Sequence, residues 1–213
     1  DDTADSIADG SSIIQWIDKS GNNNHAGQAT EANRPVYEIR STSYALVHHK
    51  PQVKFTSGKS LDISADSNIR SIVALMRQDD NQYAATKPFG GDQVLTSSAR
   101  NFALGAINSG TQSNLISVVT WQMAPGAYSI HVNGANKGSG TSSLTPAAFN
   151  KVGNDLVGEI LEVVAYDRAL SDGVRQKVEG YLAHKWGVVV KLPSSHNYKN
   201  TKPAFGGTQI LTF

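Results

Sequence analysis

A chain of 213 residues with a formal net charge of +1 can bury a sizeable core, and its charge is too small to favour nucleic acid or an anionic membrane surface. Cysteine is absent, which excludes disulfides, thiolate metal sites and a cysteine nucleophile. With 39% hydrophobic and 17% charged residues, and much Ser, Thr, Asn and Gly between them, the composition is that of one loop-rich β domain, residues 1–213.

No apolar run approaches the ~20 residues of a membrane span, so no membrane insertion is expected. The opening DDTADS carries neither an initiator Met nor a signal peptide, and the chain reads as a piece of something longer.

In chain order, residues 13–17 (IIQWI) form a short apolar run, followed by the turn-rich DKSGNNNH of residues 18–25. Residues 51–63 alternate, with Val53 and Phe55 on one face, a Ser-Gly turn, then Leu61 and Ile63. SIVALMR (71–77) predicts a central strand, with shorter strands at 93–96 and 102–107. LISVVTWQM (115–123) and AYSIHV (127–132) predict two further strands, and Asn133-Gly134 predicts a type I′ hairpin turn into a return strand. Short strands at this spacing with polar turns point to a β-sandwich.

Residues 158–187 stand apart. Ile160, Val163, Val164, Ala165 and Tyr166 have the content of a buried strand. A helix over about 171–187 follows, with Ser171 as N-cap, Asp172 in its first turn and Gly187 as its stop. Val174, Val178, Tyr181, Leu182 and Trp186 recur at helical spacing and are expected to face the sandwich.

A short repeat joins Tyr83–Thr96 to Tyr198–Thr212, with ten identical positions once Ala204 is gapped. Pro-Phe-Gly-Gly at its centre is mostly turn chemistry, so two similar loop-plus-edge-strand pieces explain it; a shared binding end of the sandwich is the alternative.

The order of WIDKSGNNNHAGQAT with NRPVY, the KPQVKF strand, the TW…YSIHVNG hairpin and GEILEVVAYDRALSD…VEGYLAHKWG with LPSSHNY resembles a concanavalin A-like lectin/glucanase domain. The type it is similar to is the laminin-G-like jelly roll of large bacterial and phage surface proteins. The resemblance covers most of the chain but is poor over residues 78–115, and the strand that usually precedes the first Asp pair is missing. It implies an all-β, two-sheet antiparallel jelly roll with one late helix, and a non-catalytic glycan-recognition or adhesion module at a cell or virion surface. Its expected partners are a glycan or cell-surface polysaccharide and the neighbouring domains of the parent protein, with no nucleic acid. The alternative is a purely structural or assembly domain of a phage fibre, capsid or filament; a glycoside hydrolase ranks third.

Glucanases on such a fold carry carboxylates two residues apart on one strand face. Here Glu159 and Glu162 are three apart, which a regular strand places on opposite faces, and no third acid follows. No catalytic residue is therefore assigned, and no G-x-S-x-G or H-E-x-x-H pattern occurs.

Sugar recognition needs an aromatic platform with amides and charges nearby. Tyr83, Phe89 and Trp121, with Asp92, Arg100 and Asn108, are the candidate ligand-binding residues, concentrated in the loops of 78–115. Tyr128, Tyr198 and Phe205 are further aromatics off the obvious core faces, whereas Trp16 and Trp186 are assigned to the core. Calcium is the one candidate cofactor, bound by Asp18, Asn22 and Asn24 as hard oxygen donors, with Asp155 a second source. The competing reading is an Asx-rich turn that satisfies its own backbone.

Overall fold

The computed structural model describes residues 7–39, 50–79, 86–90, 94–97, 101–112, 116–141, 144 and 147–204. For residues 65–67, 94–97 and 147–148 only the backbone is described. The strands are β1 (Gln15–Trp16), β2 (Ala26–Gly27), β3 (Val36–Ile39), β4 (Pro51–Phe55), β5 (Leu61–Ile69), β6 (Ser71–Gln78) and β7 (Val94–Ser97). They continue with β8 (Asn101–Leu104), β9 (Ile107–Asn108), β10 (Ser117–Ala124), β11 (Ala127–Val132), β12 (Ala135–Gly140), β13 (Ala147–Val152) and β14 (Gly158–Tyr166). One α-helix, α1 (Asp172–Trp186), follows.

A seven-stranded antiparallel sheet runs β12-β11-β10-β6-β14-β4-β3, and a four-stranded sheet runs β1-β2-β5-β13. The first core lies between them. Ile72, Ala74 and Met76 of β6 and Trp121 of β10 meet Leu61 of β5 and Phe149 of β13 there. A smaller sheet, β7-β8-β9, adds Phe102 and Leu104 to this core. The architecture is the predicted two-sheet sandwich, with a third small sheet at its side.

Alternation along β6 puts Val73 and Leu75 on the opposite face. That outer face carries a second core with Val118, Leu161 and Val164, and α1 covers it with Val178, Leu182, Ala183 and Trp186. Both faces of β6 and β14 are thus covered, and every residue of either strand is buried. A continuous apolar run such as IVALM is the composition that this position demands.

The hairpin prediction holds. Asn133 and Gly134 both have positive φ, 52° and 79°, as a type I′ turn requires. Helix α1 stops as expected: Gly187 is left-handed at φ 76° and donates its N–H to Ala183 O. Ser171 occupies the N-cap position with extended backbone, but its side chain makes no capping bond.

The buried face of α1 differs from the predicted stripe. Val174 is 42% exposed, while Arg175 and Glu179 are buried at 5% and 0%. The helix is rotated because the sheet beneath it is polar at one end: Thr120 and His131, paired across β10 and β11, point to the helix side. Glu179 accepts hydrogen bonds from Thr120 Oγ1 at 2.7 Å and Arg175 Nη1 at 2.7 Å, and His196 Nε2 lies 3.3 Å away. A buried carboxylate is tolerated only when its charge is matched and its lone pairs are occupied. Periodicity alone ranks a valine above an arginine, so it errs at Val174 in the first turn, while Val178, Leu182 and Trp186 face the sheet as expected.

Burial raises the Glu179 pKa, but the hydrogen bond from His196, the Arg175 charge and the remaining donors outweigh it and hold the carboxyl below its ordinary range. For His131, burial and then the Arg175 charge push the imidazole below its ordinary value of 6.5, and its Nδ1 has no partner among the described residues. Glu179 and Asp172 oppose that shift without reversing it.

Two outcomes test this packing. A helical Gly→Ala change ordinarily stabilises by about 1 kcal/mol. At Gly180, however, a Cβ would sit 2.5 Å from Tyr198 Cβ. Gly180→Ala should therefore lower the melting temperature, and a rise would show that the 196–199 segment yields freely. The second concerns pH. Because His131 titrates below 6.5 in the folded chain, the unfolded chain takes up the proton first as pH falls. Stability should decline from about pH 6.5 downward, with the Glu179 contribution lost at still lower pH. His131→Gln should flatten the melting temperature between about pH 7 and pH 5, measured by thermal scans of both proteins.

Candidate functional site

The aromatics expected to meet ligand do not all do so. Phe89 and Trp121 are both 0% exposed. Phe89 meets Trp121 edge-on at 5.6 Å, and Phe102 meets the same indole at 5.9 Å. Trp121 points inward because it lies opposite Ile72 of β6 and Ile130 of β11, both in the inter-sheet core. These two rings are core residues, which corrects their assignment as a sugar platform. Tyr128 is also buried, at 7%. Asn108 lies exposed at the end of β9, and its side-chain oxygen accepts the Gly110 N–H at 2.9 Å within its own turn. Tyr83, Asp92, Arg100 and Phe205 lie outside the described residues.

The DKSGNNNH turn is self-contained. Asp18 is 4% exposed; its Oδ1 accepts the Ser20 N–H at 2.8 Å, and its Oδ2 accepts Ser20 Oγ at 2.7 Å and the Asn24 N–H at 3.0 Å. The Asp18 N–H in turn donates to His25 Nδ1 at 3.1 Å. Gly21 and Asn23 supply the left-handed positions, at φ 87° and 59°. The Asp18 oxygens are ringed by donors, which suits a buried Asx hub and not a cation ligand. Asp155 is exposed in a separate turn at φ 54°. No cluster of three or more His, Asp or Glu suited to a metal occurs among the described residues. Of the donors expected for calcium, Asp18 is thus already engaged by its own turn, and Asp155 lies in a different one.

The glutamates of β14 depart from the regular-strand expectation. Glu159 pairs with Arg77 and Ile160 with Met76, but the next partner, Leu75, pairs with Glu162. Leu161 is the extra residue of a β-bulge. The bulge brings Glu162 onto the same helix-side face as Glu159, so the two acids share a face after all. Each is nonetheless committed and buried. Arg77 Nε and Nη2 clasp Glu159 at 2.6 and 2.7 Å, and Arg77 Nη1 also pairs with Asp79. Glu162 Oε2 accepts the Trp186 indole N–H and pairs with Lys185 Nζ at 2.8 Å. At 0% and 1% exposure neither carboxylate is open to a substrate.

The described surface does hold a cleft, of about 300 Å³, where β1, the β3–β4 edge and the end of α1 come together. Its aromatic walls are Trp16, Tyr37 and Trp186, and Gln15, Gln52 and Lys19 supply polar groups. Trp16 and Tyr37 are half-buried, packed against the inter-sheet core on one side and facing the cleft on the other. The Gln52 amide is held by Glu38 Oε2 at 2.6 Å, and Glu38 also pairs with Lys54 at 3.2 Å. The Trp186 ring is fixed by Glu162 and has the Lys50 and Lys185 ammoniums over it, at 5.6 and 5.7 Å from its centroid.

Sequence reasoning assigned Trp16 and Trp186 to the core and so missed their second role. Apolar spacing identified both rings, but the cleft arises only where two sheets and a helix meet.

No protein-family model matches the chain, and no curated protein matches it. Among solved structures it is similar to Trypanosoma rangeli sialidase in complex with sialic acid, at 15% identity and TM-score 0.50, over 80% of this chain and 33% of that one. It is also similar to domain 4 of AbnA, a GH43 extracellular arabinanase from Geobacillus stearothermophilus, in complex with arabinotriose. There the identity is 15% and the TM-score 0.47, over 68% of this chain and 81% of that one. A third similar structure is the CBM40 of Ruminococcus gnavus IT-sialidase, at 11% identity and TM-score 0.43, over 58% and 93% of the two chains. The chain spans about a third of the sialidase's length. The likeness to the sialidase is one of fold.

If Glu159 serves only to neutralise Arg77, then Glu159→Gln should cost about 3 kcal/mol in a denaturant titration, because it leaves a buried guanidinium short of its partner. A variant as stable as the parent would separate Glu159 from the folding of β14.

Proposed function

We propose that this chain is a non-catalytic glycan-recognition module, built on a sandwich of the concanavalin A-like, laminin-G-like kind and belonging to an extracellular or virion surface protein. The observation that carries the reading is the cleft joining the half-buried Trp16 and Tyr37 to the exposed Gln15 and Lys19, with Gln52 and Trp186 buried beneath it. Aromatic rings stack on the apolar C–H faces of a pyranose, while amides and an ammonium read its hydroxyls. A volume of about 300 Å³ is at the lower bound of ligand pockets and suits a short saccharide.

The burial of Glu159, Glu162 and Glu179 in ion pairs argues against any of these three acting as one of the two open carboxyls of an ordinary glycoside hydrolase. The assembly-domain reading draws on Ile7 and Ile17, which are exposed at the cleft, but the rings and polar groups beside them favour a saccharide.

Glycan-array screening followed by calorimetry tests the proposal. Trp16→Ala and Tyr37→Ala should each weaken binding about tenfold or more, on the ~1.4 kcal/mol that a decade in Kd represents. Thermal scans should show both variants folded. A chain that binds no glycan, or one whose binding ignores both substitutions, would overturn this reading.

A further inference from the structure

The cleft originates in the register of its strands. β4 pairs with β14 from Phe55 and Gly158 to Val53 and Ile160, and there the pairing ends. The next residue on each strand, Gln52 and Leu161, lines the cleft. Leu161 is the bulged residue, and a bulge bends its strand and terminates a ladder. The opening between the two strands is thus built into β14. Its base is hydrocarbon, supplied by the buried Ile13, Val53 and Leu161.

The mouth is largely apolar as well. Ile17 is 46% exposed there, and Pro51 is exposed beside it on the lining. Gln15 and Lys19 are the exposed polar groups, while the buried Gln52 amide is tied to Glu38 Oε2. A sugar bearing hydroxyls alone would press some of them against hydrocarbon, where each loses water and gains no partner. A methyl group in the same place gains by leaving water.

We infer that the cleft selects a saccharide carrying a methyl group, on an acetamido substituent or as the C6 methyl of a 6-deoxy sugar. The methyl lies against Ile17, Pro51 and Leu161, and the ring against Trp16 and Tyr37. This rests on the glycan-binding reading above and adds the class of sugar. Ile17 is the specificity-determining residue, and Gln15 and Lys19 at the rim are donors for the carbonyl of an acetamido group.

Calorimetry and saturation-transfer NMR on two matched pairs of sugars test the inference. Tri-N-acetylchitotriose and cellotriose differ only at the acetamido groups, and L-fucose and L-galactose only at O6. In at least one pair the methyl-bearing sugar should bind about fourfold tighter or more, the preference that burial of one methyl supports. Its methyl protons should receive the strongest saturation. The pair that shows the preference identifies the acetamido or the 6-deoxy source. Ile17→Ser should bring the affinity ratio close to one. Ile14→Ser, at a residue 61% exposed and off the cleft lining, should leave the ratio unchanged. If neither pair binds, glycan-array hits that all carry an acetamido or 6-deoxy methyl support the inference. Equal affinity within each pair that binds, equal effects of the two substitutions, or array hits without such a methyl would overturn the selectivity while leaving glycan binding intact. No binding of any of these sugars, together with a silent array, would overturn both.

Discussion

The seven-stranded sheet has two apolar faces, and each must be covered for β6 and β14 to lie at its centre. The inner face is closed by the four-stranded sheet through Ile72, Ala74 and Met76, the outer by α1 over Val73 and Leu75. Remove either cover and a row of buried aliphatic side chains meets water, at roughly 25 cal/mol for each Å² exposed. The late helix is therefore the lid of the second core, and its place fixes where Trp186 and the chain beyond Gly187 lie.

Burial on both sides also explains the polar chemistry that accompanies it. Arg77–Glu159, Lys185–Glu162 and Arg175–Glu179 all sit on the helix side of the sheet, where a charge is tolerated only in company. These acids are the ones that would attract a catalytic assignment, and the structure engages each of them in holding strand to strand or helix to sheet. The open cleft lies at the margin, where it collects groups from elements far apart in sequence: Trp16 near the start, Tyr37 and Gln52 on the β3–β4 edge, and Trp186 at the end of the helix.

Much of the fold was legible. The Asn133-Gly134 turn, the all-apolar run of β6, the strand at 158–166 and the Gly187 stop each have a local physical cause, and each appears where its residues predict. The site was far less legible. Phe89 and Trp121 looked free because their neighbours in sequence are turn or alternating residues, yet both rings fill the space between the sheets. Trp16 and Trp186 looked like core and are half right: each packs inward with one part and walls the cleft with another.

What the sequence determined by itself was the set of elements, because turn chemistry, helix caps and hydrophobic periodicity act over a few residues. It determined the all-β sandwich with one helix for the same reason. What only the tertiary structure decided was facing. The bulge at Leu161 turned Glu162 onto the face of Glu159, the polar pair of Thr120 and His131 rotated α1 to bury Arg175 and Glu179 in place of Val174, and the meeting of two sheets and a helix made the cleft. Facing is settled by partners distant in sequence, and no local pattern carries their identity.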